Sequence, residues 1–244
     1  MNLFIVEPVE ISAGGHVTLS GARGHHLLNV LHVAPGHQVR IGVLDGPRGT
    51  ATVQSIADGA VVLRCVLEGD PAPRPAVDLL LAVPRPKVMR RLWAQIAALG
   101  VGQIILTNAE KVERNYFDTH ILTPETYRPL LIEGLQQSRD TRLPVVSIHR
   151  QFRVLIEDQL DVLFASGLRV VADPSAVTPL TAVMRSNTAE RTLLAIGPEG
   201  GWNAFELGLL RAHGFQPAGM GARTLRTDTA CIALLAIARS AREI

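Results

Sequence analysis

Two short stretches decide the reading of this chain: Ile196-Gly197-Pro198-Glu199-Gly200-Gly201 and, nearer the C-terminus, Leu225-Arg226-Thr227-Asp228-Thr229-Ala230. The first follows Leu193-Leu194-Ala195, so a short apolar run bounded by turn residues leads into the glycines, the pattern of a buried strand. The glycines permit positive φ and close approach of a ligand to the backbone. Asn203, with Glu206 three residues later, fits an N-cap and capping box, so a helix is expected next. Strand, glycine loop and helix in that order put the loop where open α/β sheets bind ligands.

The second stretch has the same layout. Gly219-Met220-Gly221 ends a short strand, and Leu225-Arg226-Thr227 leads into an alanine- and leucine-rich helix predicted from Asp228 to about Arg242. Thr227 suits an N-cap, and Asp228 suits the positive end of the helix dipole. Two such loops together can hold a polar ligand through backbone groups; taken alone, each also fits an ordinary strand-to-helix connection. Neither has the spacing of a dinucleotide fingerprint or a P-loop.

Composition bounds the answer. The 244 residues are 47% hydrophobic with few aromatics, which is globular and long enough for one or two cores. A formal charge of +2 gives no overwhelming basic field, so a nucleic-acid partner needs local patches. Cys65 and Cys231 are the two cysteines, so neither a disulfide framework nor a metal site is expected. The N-terminus lacks a signal-peptide pattern, and no apolar run approaches the roughly 20 residues of a membrane span, so a soluble cytoplasmic protein is expected.

Residues 1–70 read as short strands: Leu3 to Val6, His16 to Leu19, Gln38 to Val43, Gly49 to Ile56 and Ala60 to Leu67, separated by turn signals of which Asp58-Gly59 is a hairpin signature. One amphipathic helix is predicted from about Arg23 to Leu31. A small β-barrel with one helix is the expectation. Residues 71–76, with Pro71, Pro73 and Pro75, resist helix and read as a linker. From residue 77 to 244 strands and helices alternate, which argues a parallel α/β sheet. Strands are expected at Val77 to Val83, Gln103 to Thr107, Val145 to Ile148, Arg169 to Ala172 and Leu193 to Ile196. Helices are expected over Val88 to Leu99, closed by Gly100, and from Thr123-Pro124 to about Ser138.

The pair of loops resembles the RsmE-like family of 16S ribosomal RNA uridine N3-methyltransferases, members of the SPOUT class, which carry GPEGG after an apolar residue and an L-R-T-E-T-A element near the C-terminus. The resemblance extends to Leu99-Gly100-Val101, to Gln137-Ser138-Arg139 with Leu143-Pro144, and to Arg23 through Leu31, nearly the whole chain. It implies a trefoil-knotted SPOUT domain with a mostly parallel sheet over 77–244, a PUA-like RNA-binding barrel over 1–70, and a homodimer. The implied reaction moves a methyl group from S-adenosyl-L-methionine to N3 of the 16S uridine near position 1498, on the small ribosomal subunit. The cofactor would contact Ala172, Ile196, Gly197, Pro198, Glu199 and Gly200 in one arm of the knot. In the other arm it would contact Met220, Gly221, Arg223, Leu225, Arg226, Thr227 and Ala230.

Uridine N3 must lose a proton before it attacks. A carboxylate to accept the proton and a cation to stabilise the anionic ring are therefore wanted. Glu199, Asp228 and Arg226 are the catalytic candidates; capping is the competing role for both carboxylates. RNA contacts are expected from Arg23, His25 and His26 in the barrel, and from Lys87, Arg90, Arg91, Lys111, Arg114, Arg139 and Arg142 in the second domain. The chain departs from the family pattern in having Asp228 for glutamate, Asn2 before the first apolar and aromatic residues, and no glutamate before Leu99-Gly100. A SPOUT enzyme for another RNA base or for transfer RNA is one alternative. A non-catalytic RNA-binding protein with a degenerate knot is the other.

Overall fold

The computed structural model describes residues 3–242; Met1, Asn2, Glu243 and Ile244 lie outside it, and with them the departure at Asn2. The described chain forms two compact units, one of residues 3–73 with 135–143 and one of 74–134 with 144–242.

The first unit is a five-stranded sheet. β1 (Phe4–Val6) runs parallel to β3 (Gln38–Val43); β4 (Arg48–Ala57), β5 (Ala60–Glu68) and β2 (His16–Leu19) continue antiparallel, in the order β1-β3-β4-β5-β2. Asp58 (φ 50°) and Gly59 (φ 74°) both take positive φ, as the two-residue turn joining β4 to β5 requires. Alternation places Val39, Ile41, Ala51, Val53, Val61 and Leu63 on one face with Leu19 and Leu27. The barrel expectation is corrected here: β1 and β2 are the two edges and do not pair, so the sheet is a half-barrel. The predicted helix is also split, into α1 (Gly21–His25) and a π-type turn at His26–Val30.

Residues Leu135–Leu143 also belong to this unit, although the sequence places Arg139 and Arg142 in the second domain. Hydrogen bonds far apart in sequence are the reason. Gln136 O accepts the Leu3 N–H at 3.0 Å, Thr141 O accepts the Asp45 N–H at 2.7 Å, and Thr141 Oγ1 donates to Gly46 O at 2.7 Å. The Arg142 guanidinium donates to the carbonyls of Ala72 and Asp45.

The second unit is a six-stranded parallel sheet in the order β11-β9-β10-β6-β7-β8. Its strands are β6 (Val77–Ala82), β7 (Gln103–Thr107), β8 (Val145–His149), β9 (Leu168–Ala172), β10 (Thr192–Ile196) and β11 (Gln216–Ala218). β6 and β10, at the centre, are buried along their whole length, as strands covered on both faces are. α2 (Pro86–Ala98) buries Met89, Leu92, Trp93 and Ile96, starts with proline and is followed by Gly100 at φ 73°. α3 spans Pro124–Ser138.

Two crossovers were not legible in the sequence pattern. One is α4 (Phe152–Val154) continued by a π-type turn at Leu155–Gln159 into α5 (Leu160–Leu163); the π turn breaks the 3.6-residue period. The other is α6 (Leu180–Arg185), barely more than one turn long. α7 (Ala204–Ala212) and α8 (Thr227–Arg242) complete the unit. α8 begins one residue before the predicted start, so Thr227 is its first helical residue and not its cap. Among the described residues no helix is long and apolar enough to cross a membrane.

One acid interrupts the core of this sheet. Asp78 of β6 is fully buried against the guanidinium of Arg191, which is itself half exposed. Burial pushes the Asp78 carboxyl above its ordinary value, and Arg191 only partly offsets this. The folded state therefore holds this proton to higher pH than the unfolded chain, so the group's contribution to stability falls as pH rises above about 4 through the folded value. Asp78→Asn removes that loss. In urea titrations from pH 4 to 7 the stability of the variant relative to wild type should rise with pH; a difference that shrinks with pH would contradict the assignment.

Candidate functional site

The site follows from strand direction. β9, β10 and β11 are parallel, with β9 between the other two, so their C-terminal ends lie along one edge of the sheet. The chain leaves β6 towards β7 on one side and β10 towards β11 on the other. The β6/β10 boundary is therefore a topological switch point, where open α/β sheets take ligands.

The loops after β9, β10 and β11 enclose two adjoining cavities. The larger, about 240 Å³, is lined by Ala172, Asp173 and Pro174, by Ile196 through Trp202, by Leu207, and by Thr224, Leu225, Thr227 and Ala230. The smaller, about 70 Å³, adds Ala218, Gly219, Met220, Gly221, Arg223 and Leu234 and shares Ala172, Asp173, Pro174, Leu225 and Ala230. Gly219 closes the back of this region. Its N–H donates to Thr178 O and its carbonyl accepts from the Leu180 N–H, both at 2.9 Å; a Cβ there would stand 2.7 Å from Ala176 O. Positive φ falls at Gly201 (68°) and Gly221 (101°) and not at Gly197 or Gly200. The missing side chain of Gly197 instead leaves room for the Trp202 ring, 3.1 Å from where a Cβ would stand.

The glycine loop is tied down by its neighbours. Asn203 and Glu206 form the capping box of α7: Asn203 Oδ1 accepts the Glu206 N–H at 2.8 Å, and Glu206 Oε2 accepts the Asn203 N–H at 2.7 Å. The other oxygen, Glu206 Oε1, accepts the N–H of Glu110 in the loop after β7 at 2.7 Å. Lys111 Nζ donates to Gly200 O at 2.7 Å, and Glu199 Oε1 accepts the N–H of Arg85, the N-cap of α2, at 3.1 Å.

Of the residues singled out in the sequence, Ala172, Ile196, Gly197, Pro198, Glu199, Gly200, Leu225, Thr227 and Ala230 line the larger cavity, and Met220, Gly221 and Arg223 the smaller. Arg226 and Asp228 line neither. Arg226 is exposed, while Asp228 accepts the Thr229 N–H at 2.9 Å and pairs with Arg91 at 3.0 Å. Among the RNA candidates of this unit, Lys87, Arg90 and Arg91 are exposed on α2, and Arg114 is exposed beyond β7. In the first unit Arg23 is held by Glu10, His25 is exposed, His26 packs edge-on to Phe4 with ring centroids 5.8 Å apart, and Arg139 is exposed.

Asp173 and Trp202 are among the cavity residues that sequence reasoning passed over. Asp173 is buried; its Oδ1 accepts the Ser175 N–H at 2.9 Å and the Ser175 hydroxyl, and its Oδ2 meets Arg211 at 3.2 Å. An acid directly after the run Arg169 to Ala172, at a strand's C-terminal end, was the available signal. Trp202, directly after GPEGG, is buried, and its Nε1 has no hydrogen-bond partner among the described residues.

Residues 71–239 match the family model for the RNA methyltransferase domain. Among curated proteins, ribosomal RNA small subunit methyltransferase E of Treponema pallidum is 29% identical over 242 residues, 97% of this chain and 90% of that protein. The Synechocystis protein of the same name is 31% identical over 227 residues, 90% of this chain and 71% of that one. Among solved structures, ribosomal RNA small subunit methyltransferase E of Neisseria gonorrhoeae, bound to S-adenosyl methionine, superposes with a TM-score of 0.78 at 22% identity, covering 98% of this chain and 97% of that chain; at this identity the likeness speaks for the fold. With the family model spanning more than half of its length, the chain belongs to the RNA methyltransferase family, alongside the ribosomal RNA small subunit methyltransferases E.

Proposed function

We propose that the chain transfers the methyl group of S-adenosylmethionine to N3 of the uridine near position 1498 of 16S ribosomal RNA, in the small subunit and in the cytoplasm. The observation that carries the reading is the pair of adjoining cavities at the ends of three parallel strands, lined by Ile196–Gly201 and by Leu225, Thr227 and Ala230 of the second stretch. The residues present suit the cofactor. Ile196, Leu225, Ala172 and Met220 offer apolar walls, the loops offer main-chain groups, and Trp202 Nε1 is a buried donor without a partner among the described residues. When bound, the cofactor supplies a methyl group already activated on sulfur, which leaves the protein to position the uridine and manage one proton.

Of the two carboxylates, Glu199 is the better placed to accept that proton. It lines the cavity and commits only Oε1 to the Arg85 N–H. Asp228 serves the start of α8 and Arg91, a positioning role. Arg226 is exposed beside the slot; its carbonyl accepts the Ala230 N–H at 2.8 Å, while its guanidinium has no ion-pair or hydrogen-bond partner among the described residues, so its charge is available to an anionic uracil ring. The passage of Asp173–Leu180 against Ala218 and Gly219 supports a trefoil knot in this unit, and the half-barrel of the first unit supports a PUA-like RNA-binding role. A groove of about 580 Å³ between α6 and α8, lined by Thr181, Ala236, Ile237 and Ser240, supports a homodimer through that face.

Three measurements test the reading. Small subunits incubated with labelled cofactor should acquire one methyl group, which mass mapping should place on uridine N3; label on another base or on transfer RNA would favour a different substrate. Ala230→Leu, which adds volume where the two cavities meet, should weaken cofactor binding at least about tenfold with little change in melting temperature, because added volume in a ligand slot clashes with the ligand. Arg226→Ala should slow single-turnover methylation by about 2–4 kcal/mol of barrier while cofactor affinity holds, since its charge acts only as the ring becomes anionic. A normal rate in the cofactor-saturated variant would remove Arg226 from the mechanism.

A further inference from the structure

A further cavity in the same unit, about 420 Å³, lies between the segment after β7 and the start of α7, and the cofactor reading leaves it unused. Asn108, at the end of β7, lines it together with Arg114, Phe152 and Arg153, and with Asn203, Phe205 and Glu206 at the start of α7. Phe152 stacks on Trp202 with ring centroids 5.3 Å apart, so one aromatic pair presents Trp202 to the cofactor slot and Phe152 to this cavity.

We propose that this cavity takes an unpaired base of the RNA substrate, a neighbour of the uridine that is methylated. Three observations carry this. The Asn108 Oδ1 is buried and has no hydrogen-bond partner among the described residues; a side-chain amide offers one acceptor and one donor direction to a base edge. Phe205 is 59% exposed on the first turn of α7, an unusual place for a phenylalanine unless a flat apolar partner covers it. The charges favour a base over a free anion: Glu206 and Glu110 line the cavity, Arg153 is already paired with Glu157 at 2.8 Å, and Arg114 is left at the rim for a backbone phosphate. Because the Phe152–Trp202 pair stands between this cavity and the methyl donor's slot, the base held here is not the one modified. The inference rests on the RNA methyltransferase reading above.

The test uses the full chain, isolated small subunits, and the variants Asn108→Ala and Phe205→Ala. Filter binding of subunits without cofactor and KM for subunits in methylation are read side by side, with cofactor affinity, melting temperature and light scattering as controls. Each variant should raise both the subunit Kd and KM by about tenfold, in the range for losing one stacking or pairing contact to a base. Cofactor affinity should hold. The melting temperature of Asn108→Ala should stay level or rise, since a buried oxygen without a partner is removed. Unchanged Kd and KM would overturn the proposal, and so would weakened binding that tracks a change in oligomeric state, which would make the Phe205 face a contact between protein chains. If the wild-type protein methylated no uridine N3, the functional reading would fall, while the binding arm would still decide the cavity.

Discussion

Glu206 is the carboxylate on which the site depends. It is 3% exposed, and its two oxygens accept backbone N–H groups from different loops, that of Asn203 after β10 and that of Glu110 after β7. A buried charge is tolerated only when hydrogen bonds replace its water, and bonds to a charged acceptor are the strong ones. Glu206 thereby fixes a glycine-rich segment that has little side-chain packing of its own. The Lys111 bond to Gly200 O and the Arg85 bond to Glu199 add two further tethers from neighbouring loops. A loop with intrinsic freedom becomes one surface of a preformed slot, and the ordering is met by folding and not by the ligand.

The same logic explains the different fates of the acids. Asp173 and Glu206 are buried and fully engaged, so they hold loops in place. Asp228 meets an arginine that is itself largely exposed, and such a pair contributes only about 0–1 kcal/mol. Asp228 therefore matters for where Arg91 is held more than for stability. Glu199 alone combines a place in the slot with an oxygen outside its one hydrogen bond.

Much of this was legible in the sequence because it is local. The Asn203–Glu206 box, the Asp58-Gly59 turn, the proline start of α3 and Gly100 at the end of α2 are all short-range signals, and the structure has each of them. The buried strands showed as apolar runs. What the sequence hid was long-range. Leu135–Leu143 joins the first unit through hydrogen bonds to residues distant in the chain, as from Thr141 to Gly46, 95 positions away. The open seam between β1 and β2 depends on which edges meet, which alternation cannot say. In the site, the motif letters located the cavities, but not that Arg226 lines neither of them or that Asp173 and Trp202 contribute to their walls.

The placement of Trp202 joins these observations. The absence of a side chain at Gly197 lets the indole close on the backbone, which buries its Nε1 at the edge of one cavity and turns its face to Phe152 at the edge of another. One residue after the glycines thus forms part of the wall of one cavity and packs behind the wall of its neighbour. The Trp202–Phe152 pair stands between two differently built cavities. On one side are the loops after β9, β10 and β11; on the other, Asn108 and Arg114 from the segment after β7 and Phe205 of α7 bring together an amide, a cation and an exposed ring.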